Sequence, residues 1–375
     1  MSLSPGAERG LEDERWMAAA LRFGRRGMGM AAPNPSVGAL LVRDGAVVGR
    51  GVTAPGGRPH AETRAIAEAG DAARGATLYV TLEPCAHQGV TPPCAEAIVI
   101  AGVARVVCAI EDPDIRVAGE GFSILRAAGV EVVVGVGDET ARRDHRGHIR
   151  RVVEGRPMVT LKLARTGDGY AAGGDHDARL AITGETTNLR VQVMRSLHDA
   201  IMIGVGTALG DDPLLTVRLP GLEARPLRVV LDSRLSLPLR SRLCETAREF
   251  PTLVIASRTA AAEREPALAA TGVEVARVEP DSSGHVDLLQ ALRLLARRGL
   301  TRVFSEGGPH VGSRLVAEGL ADEVVLLTAL KPLGRPGLPA LAASALGALA
   351  DGARYREIET ALYDDDALRR WERLG

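Results

Sequence analysis

Hydrophobic positions recur along this chain with two different periods, and the changes of period mark out its elements. The run Trp16-Met17-Ala18-Ala19-Ala20-Leu21-Arg22-Phe23 has helical character, alanine being the best helix former. Residues 1–10 before it read as a disordered lead, and Ala32-Pro33-Asn34-Pro35 reads as its stop. Short apolar runs at 37–42 and 47–50 are joined by Asp44-Gly45, a strong hairpin signal. Beyond them the pattern predicts helices over 60–69, 94–101 and 121–128, with strands at 77–82, 105–110 and 130–134.

Composition shifts in the charged stretch 141–151, which ends in Arg150-Arg151. A boundary there divides the chain into domains 1–152 and 153–375, and 375 residues are too many for one typical domain. The second part repeats the alternation, with strands expected at 159–163, 200–204, 227–231, 252–256, 302–304 and 323–327. Helices are expected at 187–197, at 287–297 with Asp287 as N-cap, and at 310–318. The alanine-rich stretch 339–350 reads as helix or loop. The prediction is an α/β protein, with a three-layer N-terminal domain and a second α/β domain after it.

Charge and composition then narrow the function. The net charge is -1 and aromatics make up 3%, so no field favours nucleic acid and few stacking platforms are left for single-stranded bases. A small-molecule substrate is expected, with no nucleic acid and no membrane partner. No run of about twenty apolar residues occurs, and the acidic start (Glu8, Glu12, Asp13, Glu14) is unlike a signal peptide. Four cysteines, Cys85, Cys94, Cys108 and Cys244, make no disulfide framework, so a cytoplasmic setting is expected.

The chemistry concentrates in Pro59-His60-Ala61-Glu62, Glu83-Pro84-Cys85 and Pro93-Cys94. One histidine and two cysteines can close three corners of a tetrahedral zinc site and leave the fourth open. Glu62, two residues after His60, can serve as proton shuttle without ligating. This H-x-E…P-C…C pattern is the signature of zinc-dependent base deaminases, although eight residues separate Cys85 from Cys94 instead of the usual two. A purely structural zinc site would have no use for Glu62. Cys108, within an apolar run, reads as a small hydrophobe. His87 lies so close to Cys85 that substrate contact suits it better than ligation. His145, His148, His176, His198, His285 and His310 lack metal-ligand spacing and read as solvated or helix-facing.

In the second half, Gly204-Val205-Gly206-Thr207 follows a strand but lacks the third glycine of a dinucleotide fingerprint, Leu209 standing there. Glu306-Gly307-Gly308-Pro309 is a better anion cradle, joining a strand to a helix whose first position is proline. Ordinary tight turns explain either glycine pair equally well. On the residues alone this half is a nucleotide-binding domain of undefined chemistry.

The motifs together resemble the bifunctional riboflavin-biosynthesis deaminase-reductase family. The resemblance rests on Pro33-Asn34-Pro35-Ser36-Val37-Gly38, His60-Ala61-Glu62, Leu82-Glu83-Pro84-Cys85-Ala86-His87 and Thr91-Pro92-Pro93-Cys94. It continues through Asp112-Pro113, Leu161-Lys162-Leu163-Ala164, Ile182-Thr183, residues 204–207, residues 211–218, Asp232-Ser233 and Glu306-Gly307-Gly308. The resemblance implies a cytidine-deaminase-like first domain holding Zn2+ on His60, Cys85 and Cys94. Glu62 would be its catalytic residue, with Asn34 and His87 on the pyrimidine or its ribose phosphate. It implies a dihydrofolate-reductase-like second domain using NADPH. There Lys162, Arg195, Asp211, Leu214, Arg218 and Glu306 would line the ribose phosphate, while Ala164, Thr183, Gly204, Thr207, Ser233 and Gly308 would face the cofactor. The substrate implied is a phosphoribosylated diaminopyrimidinone; the general acid for ring opening is not evident, and Asp211 is nominated. Members of the family associate, so a homo-oligomer is compatible with the resemblance.

Four departures bear on the site reading. Relatives usually carry a basic residue where Val90 stands, asparagine where Asp114 stands, and tryptophan where Ala181 stands. They also usually carry Ser-Leu-Asp-Gly in place of Thr166-Gly167-Asp168-Gly169. These changes leave open a deaminase-reductase acting on a related modified pyrimidine, a deaminase with an impaired reductase, and a binding protein with structural zinc.

Overall fold

The computed structural model describes residues 5–88, 92–115, 117–174, 180–222 and 224–375; Val90, Arg116 and His176 lie outside the described residues. The chain divides into two compact units, Met1–Gly155 and Arg156–Gly375.

The first unit is built on β1 (Gly38–Arg43), β2 (Ala46–Val52), β3 (Thr77–Val80), β4 (Arg105–Cys108) and β5 (Glu131–Val134), in the order β2-β1-β3-β4-β5. β1 runs antiparallel to β2 and β3, and β3, β4 and β5 are parallel. Asp44 and Gly45 turn the hairpin with φ of 51° and 73°, the left-handed pair that a tight hairpin turn demands. Two glycines set the layers. A Cβ on Gly38 would stand 2.1 Å from the Ala20 carbonyl oxygen, and one on Gly51 would stand 1.9 Å from that of Ala61. Gly51 pairs with Ala39, so it shares a face with that residue and not with Gly38. The helices Pro5–Gly24 and Ala61–Ala69 therefore pack on opposite faces of the sheet, each at backbone contact. The core between them includes Met17, Leu41, Leu78, Ile98, Val106 and Leu125, all fully buried.

Several expectations for this unit need correction. Residues 5–10 are not a disordered lead but the start of the helix Pro5–Gly24, where Pro5 suits a first turn and Glu8 complements the helix dipole. That helix ends at Gly24 and passes into a 3-10 turn, Arg25–Gly27, before Pro33 is reached. The charged stretch 141–151, near which the sequence places the domain boundary, is largely helical. It lies in the helices Asp138–Asp144 and Arg146–Glu154, whose charges pair at i,i+4, as Arg142 does with Asp138 at 2.9 Å.

The second unit contains β6 (Met158–Arg165), β7 (Tyr170–Ala172), β8 (Ala200–Gly204), β9 (Leu227–Leu231), β10 (Thr252–Ser257), β11 (Glu274–Val278), β12 (Arg302–Ser305), β13 (Glu323–Ala329), β14 (Leu338–Pro339), β15 (Tyr355–Tyr363) and β16 (Asp366–Arg373). Nine of them form one sheet in the order β11-β10-β9-β8-β12-β6-β13-β16-β15, and β14 pairs with β7. The sheet is parallel from β11 to β13, and only β16 and β15 are antiparallel additions. Buried acids join its strands at their backbones. Asp199 accepts from Thr301 N and Oγ1, both at 2.7 Å, and from Arg302 N at 2.9 Å. Asp322 takes both Arg156 Nη atoms at 2.6 and 2.8 Å together with Val159 N. Asp287 caps the helix Leu288–Arg297 by accepting from Gln290 N, and Pro309 opens the helix Pro309–Ala317.

His198 is buried between Met194 O at 2.7 Å and Thr160 Oγ1 at 3.0 Å, against the Phe304 ring. Burial holds its pKa down at about 3. An unfolded chain takes up this proton near the ordinary histidine value of about 6.5, whereas the folded chain refuses it. Stability conferred by the neutral ring is therefore complete above that value and is lost as pH falls from 6.5 toward 3. Denaturant titrations of the intact protein across this range should show the second unit weakening, and His198→Gln should flatten the slope.

Candidate active sites

In the first unit the sequence brings three donors together at the starts of two helices. His60 is the N-cap of the helix Ala61–Ala69, and Cys94 opens the helix Cys94–Ile100. Cys85 follows β3 through Glu83-Pro84. His60 Nδ1 lies 3.3 Å from Cys94 Sγ and 3.7 Å from Cys85 Sγ, and the three donor atoms all fall within 4.8 Å of one another. The backbone N–H of Cys94 donates to Cys85 Sγ at 3.3 Å, as an amide at a helix start does to a thiolate. The hydrogen bond from Cys94, together with His60, holds Cys85 down at about 4, and the same sharing pushes Cys94 up. One soft imidazole and two thiols at this spacing suit zinc. Glu62 stands in the first turn of its helix, 3% exposed, and burial raises its carboxyl to about 7. Asn34 Nδ2 donates to Gly57 O at 2.9 Å and lies 3.2 Å from His60 Nε2, so Asn34 borders the donor group.

In the second unit Arg195 grips Glu306 with two hydrogen bonds, Nε to Oε1 at 2.5 Å and Nη2 to Oε2 at 3.0 Å. Lys162 Nζ stands 4.0 Å from the same carboxylate. Burial alone would raise Glu306, but Arg195, Lys162 and Arg218 overrule it and hold it below the ordinary carboxylate range. Burial and the neighbouring Arg195 both lower Arg218. Three cations thus face one carboxylate, an excess of positive charge suited to an anionic group. Next to it, at the C-terminal ends of β8 and β12, Thr207 Oγ1 accepts from Gly308 N at 3.0 Å. A Cβ on Gly308 would meet that hydroxyl at 3.0 Å, and one on Gly204 would meet Val311 at the same distance. Open α/β sheets place ligands at such strand ends.

Comparisons with known proteins match both halves of the chain. Residues 11–110 match the family described as the cytidine and deoxycytidylate deaminase zinc-binding region, and residues 157–345 match the RibD C-terminal domain. The riboflavin biosynthesis protein RibD of Aquifex aeolicus is 38% identical over 322 residues, covering 86% of this chain and 88% of that protein. The chain belongs to the RibD family. RibD of Escherichia coli strain K12 is 35% identical over 359 residues, covering 92% of this chain and 95% of its own. Among solved structures, Acinetobacter baumannii RibD matches with a TM-score of 0.85 at 34% identity, covering 98% of this chain and all of that one. A Thermotoga maritima structure described as a diaminohydroxyphosphoribosylaminopyrimidine deaminase/5-amino-6-(5-phosphoribosylamino)uracil reductase matches with a TM-score of 0.82 at 33% identity, covering 98% and 100%. The chain is therefore a bifunctional deaminase-reductase of riboflavin biosynthesis, with a zinc-binding cytidine-deaminase-like domain and a dihydrofolate-reductase-like domain.

Within that RibD frame, the remaining expected residues are spread unevenly. His87 is exposed, next to residues 89–91 outside the described chain. Asp211 is exposed at the end of the helix Val205–Asp211, and Leu214 lies half-buried beyond it. Ser233 follows β9 and accepts from Val286 N at 2.9 Å. Ala164 packs beside the buried cluster of Val191, Phe304 and Leu327. Thr183 lines a cavity of about 560 Å³ together with Ala181, Lys331 and Asp364–Asp366. Asp114 N donates to Asp112 Oδ1 at 2.9 Å, a backbone contact that asparagine would make equally. Asp168 clamps another loop by accepting from Leu333 N and Gly334 N, both at 2.9 Å.

Sequence reasoning quoted Glu83 without giving it a task. Its buried carboxylate accepts from Asp112 N, Gly119 N, Gly121 N and Phe122 N at 2.9–3.4 Å, and so ties Asp112 and the start of the helix Glu120–Ala127 to the strand end that delivers Cys85. Its place just before Pro84-Cys85, at a strand end, was the available signal. Glu83→Gln would turn an –NH2 toward backbone donors that now find oxygen. The first unit should lose about 2 kcal/mol of stability, read as a lower denaturation midpoint of the intact protein. An unchanged midpoint would show that the four amides find other partners.

Proposed function

We propose that the first unit uses zinc to deaminate a diaminopyrimidinone carrying a phosphoribosylamino group, and that the second uses NADPH to reduce the ribosyl group of the product to ribityl. The observation that carries the reading is the convergence of His60 Nδ1, Cys85 Sγ and Cys94 Sγ beside a buried Glu62. His60, Cys85 and Cys94 would hold the metal, which when bound supplies a Lewis acid with one open position. Glu62 takes a proton from the water that adds to the amine-bearing carbon and returns it to the departing nitrogen, which leaves as ammonia. A raised carboxyl pKa suits a group that must both accept and give a proton. Asn34, bordering the donor group, and His87 would orient the pyrimidine or its ribose phosphate.

In the second unit NADPH, when bound, would supply the hydride for the sugar carbon that bears the amino group, whose bond to the ring oxygen breaks. Lys162, Arg195 and Arg218 bind the phosphate, and Glu306 holds those cations in place and can accept from a sugar hydroxyl. Asp211 and Leu214 would border the same sugar, and Asp211 is the nominated proton donor to the ring oxygen as the sugar opens. Gly204, Thr207, Ser233 and Gly308 line the strand ends where the cofactor's phosphates fit, with Ala164 and Thr183 on its remaining side. The free cysteines suit a reducing cytoplasm. No helix among the described residues is long and apolar enough to cross a membrane.

Glu62→Gln tests the first step. Zinc content should be retained while ammonia release falls by about a thousandfold, and NADPH oxidation on supplied deaminated substrate should persist. Removing the metal with a chelator should abolish ammonia release and spare the reductase. Ammonia release by the variant at the normal rate would remove Glu62 from the mechanism. The cavity beside Ala181 favours a second reading for the other unit, a reductase with a looser hold on its cofactor. Ala181→Trp should then lower the KM for NADPH; an unchanged or raised KM would count against it.

A further inference from the structure

The segment Asp211–Arg218 carries three of the proposed substrate residues, yet beyond Asp211, which ends the helix Val205–Asp211, it has no regular structure and no glycine. Two of its residues occupy the left-handed region that side chains avoid, Asp212 with φ of 37° and Leu215 with φ of 51°. Such a loop would relax elsewhere unless it were held, and it is held at every second residue. Asp212 Oδ1 accepts from Arg242 N at 2.8 Å, and Leu214 O accepts from Arg228 Nη1 at 3.1 Å. Thr216 O accepts from Arg195 Nη1 at 3.1 Å, and Arg218 N donates to Gln192 Oε1 at 2.9 Å. Leu215 is meanwhile buried in the core beside Ile203 and Leu235.

These four anchors differ in kind. Arg228 is fully buried and spends its guanidinium on Leu214 O, Leu243 O, Phe250 O and two threonine hydroxyls, so it serves the fold at large. Arg195 also grips Glu306. Gln192 is 8% exposed and lies in the helix Glu185–Ser196, one turn before Arg195. Its side-chain oxygen fixes the backbone from which Arg218 departs.

We propose that Gln192 is a positioning residue that aims Arg218 at the substrate's phosphate, in a loop whose shape is set before substrate arrives. The inference rests on the reading of Lys162, Arg195 and Arg218 as the phosphate site. Preset geometry spares the ordering cost on binding, and its loss should appear in affinity for the phosphate alone.

The test is reductase kinetics of the full chain on the deaminated phosphoribosyl substrate and on its phosphate-free analogue. Gln192→Leu keeps the shape and removes the acceptor; Gln192→Glu keeps an acceptor oxygen. With Gln192→Leu, KM for the phosphorylated substrate should rise about tenfold, the scale of one lost hydrogen bond. KM for NADPH, kcat/KM for the phosphate-free analogue and ammonia release by the same chain should not move. Gln192→Glu should restore most of the affinity. Equal losses on both substrates, or no rescue by Gln192→Glu, would mark Gln192 as merely structural and overturn the proposal. Arg218→Ala separates the two layers of the argument. If it weakens the phosphorylated substrate while Gln192→Leu does not, the positioning inference alone fails. If it has no effect on that substrate, the phosphate-site reading falls and the inference with it.

Discussion

The first unit depends on how closely a helix can approach a sheet. At Gly51 the Ala61 carbonyl oxygen stands where any other residue would put its Cβ, and Gly49 leaves the same kind of room for Ala65. That contact seats the first turn of the helix Ala61–Ala69 on β2. It thereby fixes His60 before the turn and Glu62 within it. The other two donors arrive independently, Cys85 from the end of β3 and Cys94 at the start of a second helix. Three separate backbone constraints converge on one volume, and burial there does the rest by raising Glu62.

A different device organises the second unit. Buried carboxylates accept backbone amides and so join distant strands, as Asp199 does for the start of β12 and Asp322 does for β6. Another, Asp232, accepts from Leu237 N at 2.7 Å beside Ser233. Asp232, a residue of the family's motif, is therefore a structural fastener at a strand end, with Ser233, proposed to face the cofactor, directly after it. Glu83 plays the equivalent part in the first unit. In both halves an acid buried among amides lies next to the residues proposed for chemistry.

Much of this was legible in the chain itself. The hairpin at Asp44-Gly45, the cap at Asp287 and the proline at the head of the helix Pro309–Ala317 follow from local chemistry and occur as read. The clustering of His60, Cys85 and Cys94 was legible because cysteine and histidine in that pattern have few other uses. The C-terminal hairpin was not. β15 and β16 carry Arg356, Glu357, Glu359, Arg369 and Arg370, whose charges look like a solvated segment; in the structure Arg369 pairs across the strands with Glu357 and Arg370 with Glu359. β11 was missed for a similar reason, being a short edge strand whose apolar positions are interrupted by Glu274 and Arg277. Gln192 gave no signal at all, since a buried glutamine on a helix announces nothing until the loop that it holds is seen.

The central claim is that one chain performs two chemistries in a fixed order at two separate sites. The most direct measurement follows ammonia release and NADPH oxidation separately, on zinc-loaded full-length protein supplied with the diaminopyrimidinone ribose phosphate. Ammonia should appear first, and NADPH oxidation should follow only as deaminated product accumulates. NADPH oxidation without prior ammonia, or silence in both channels, would contradict the account.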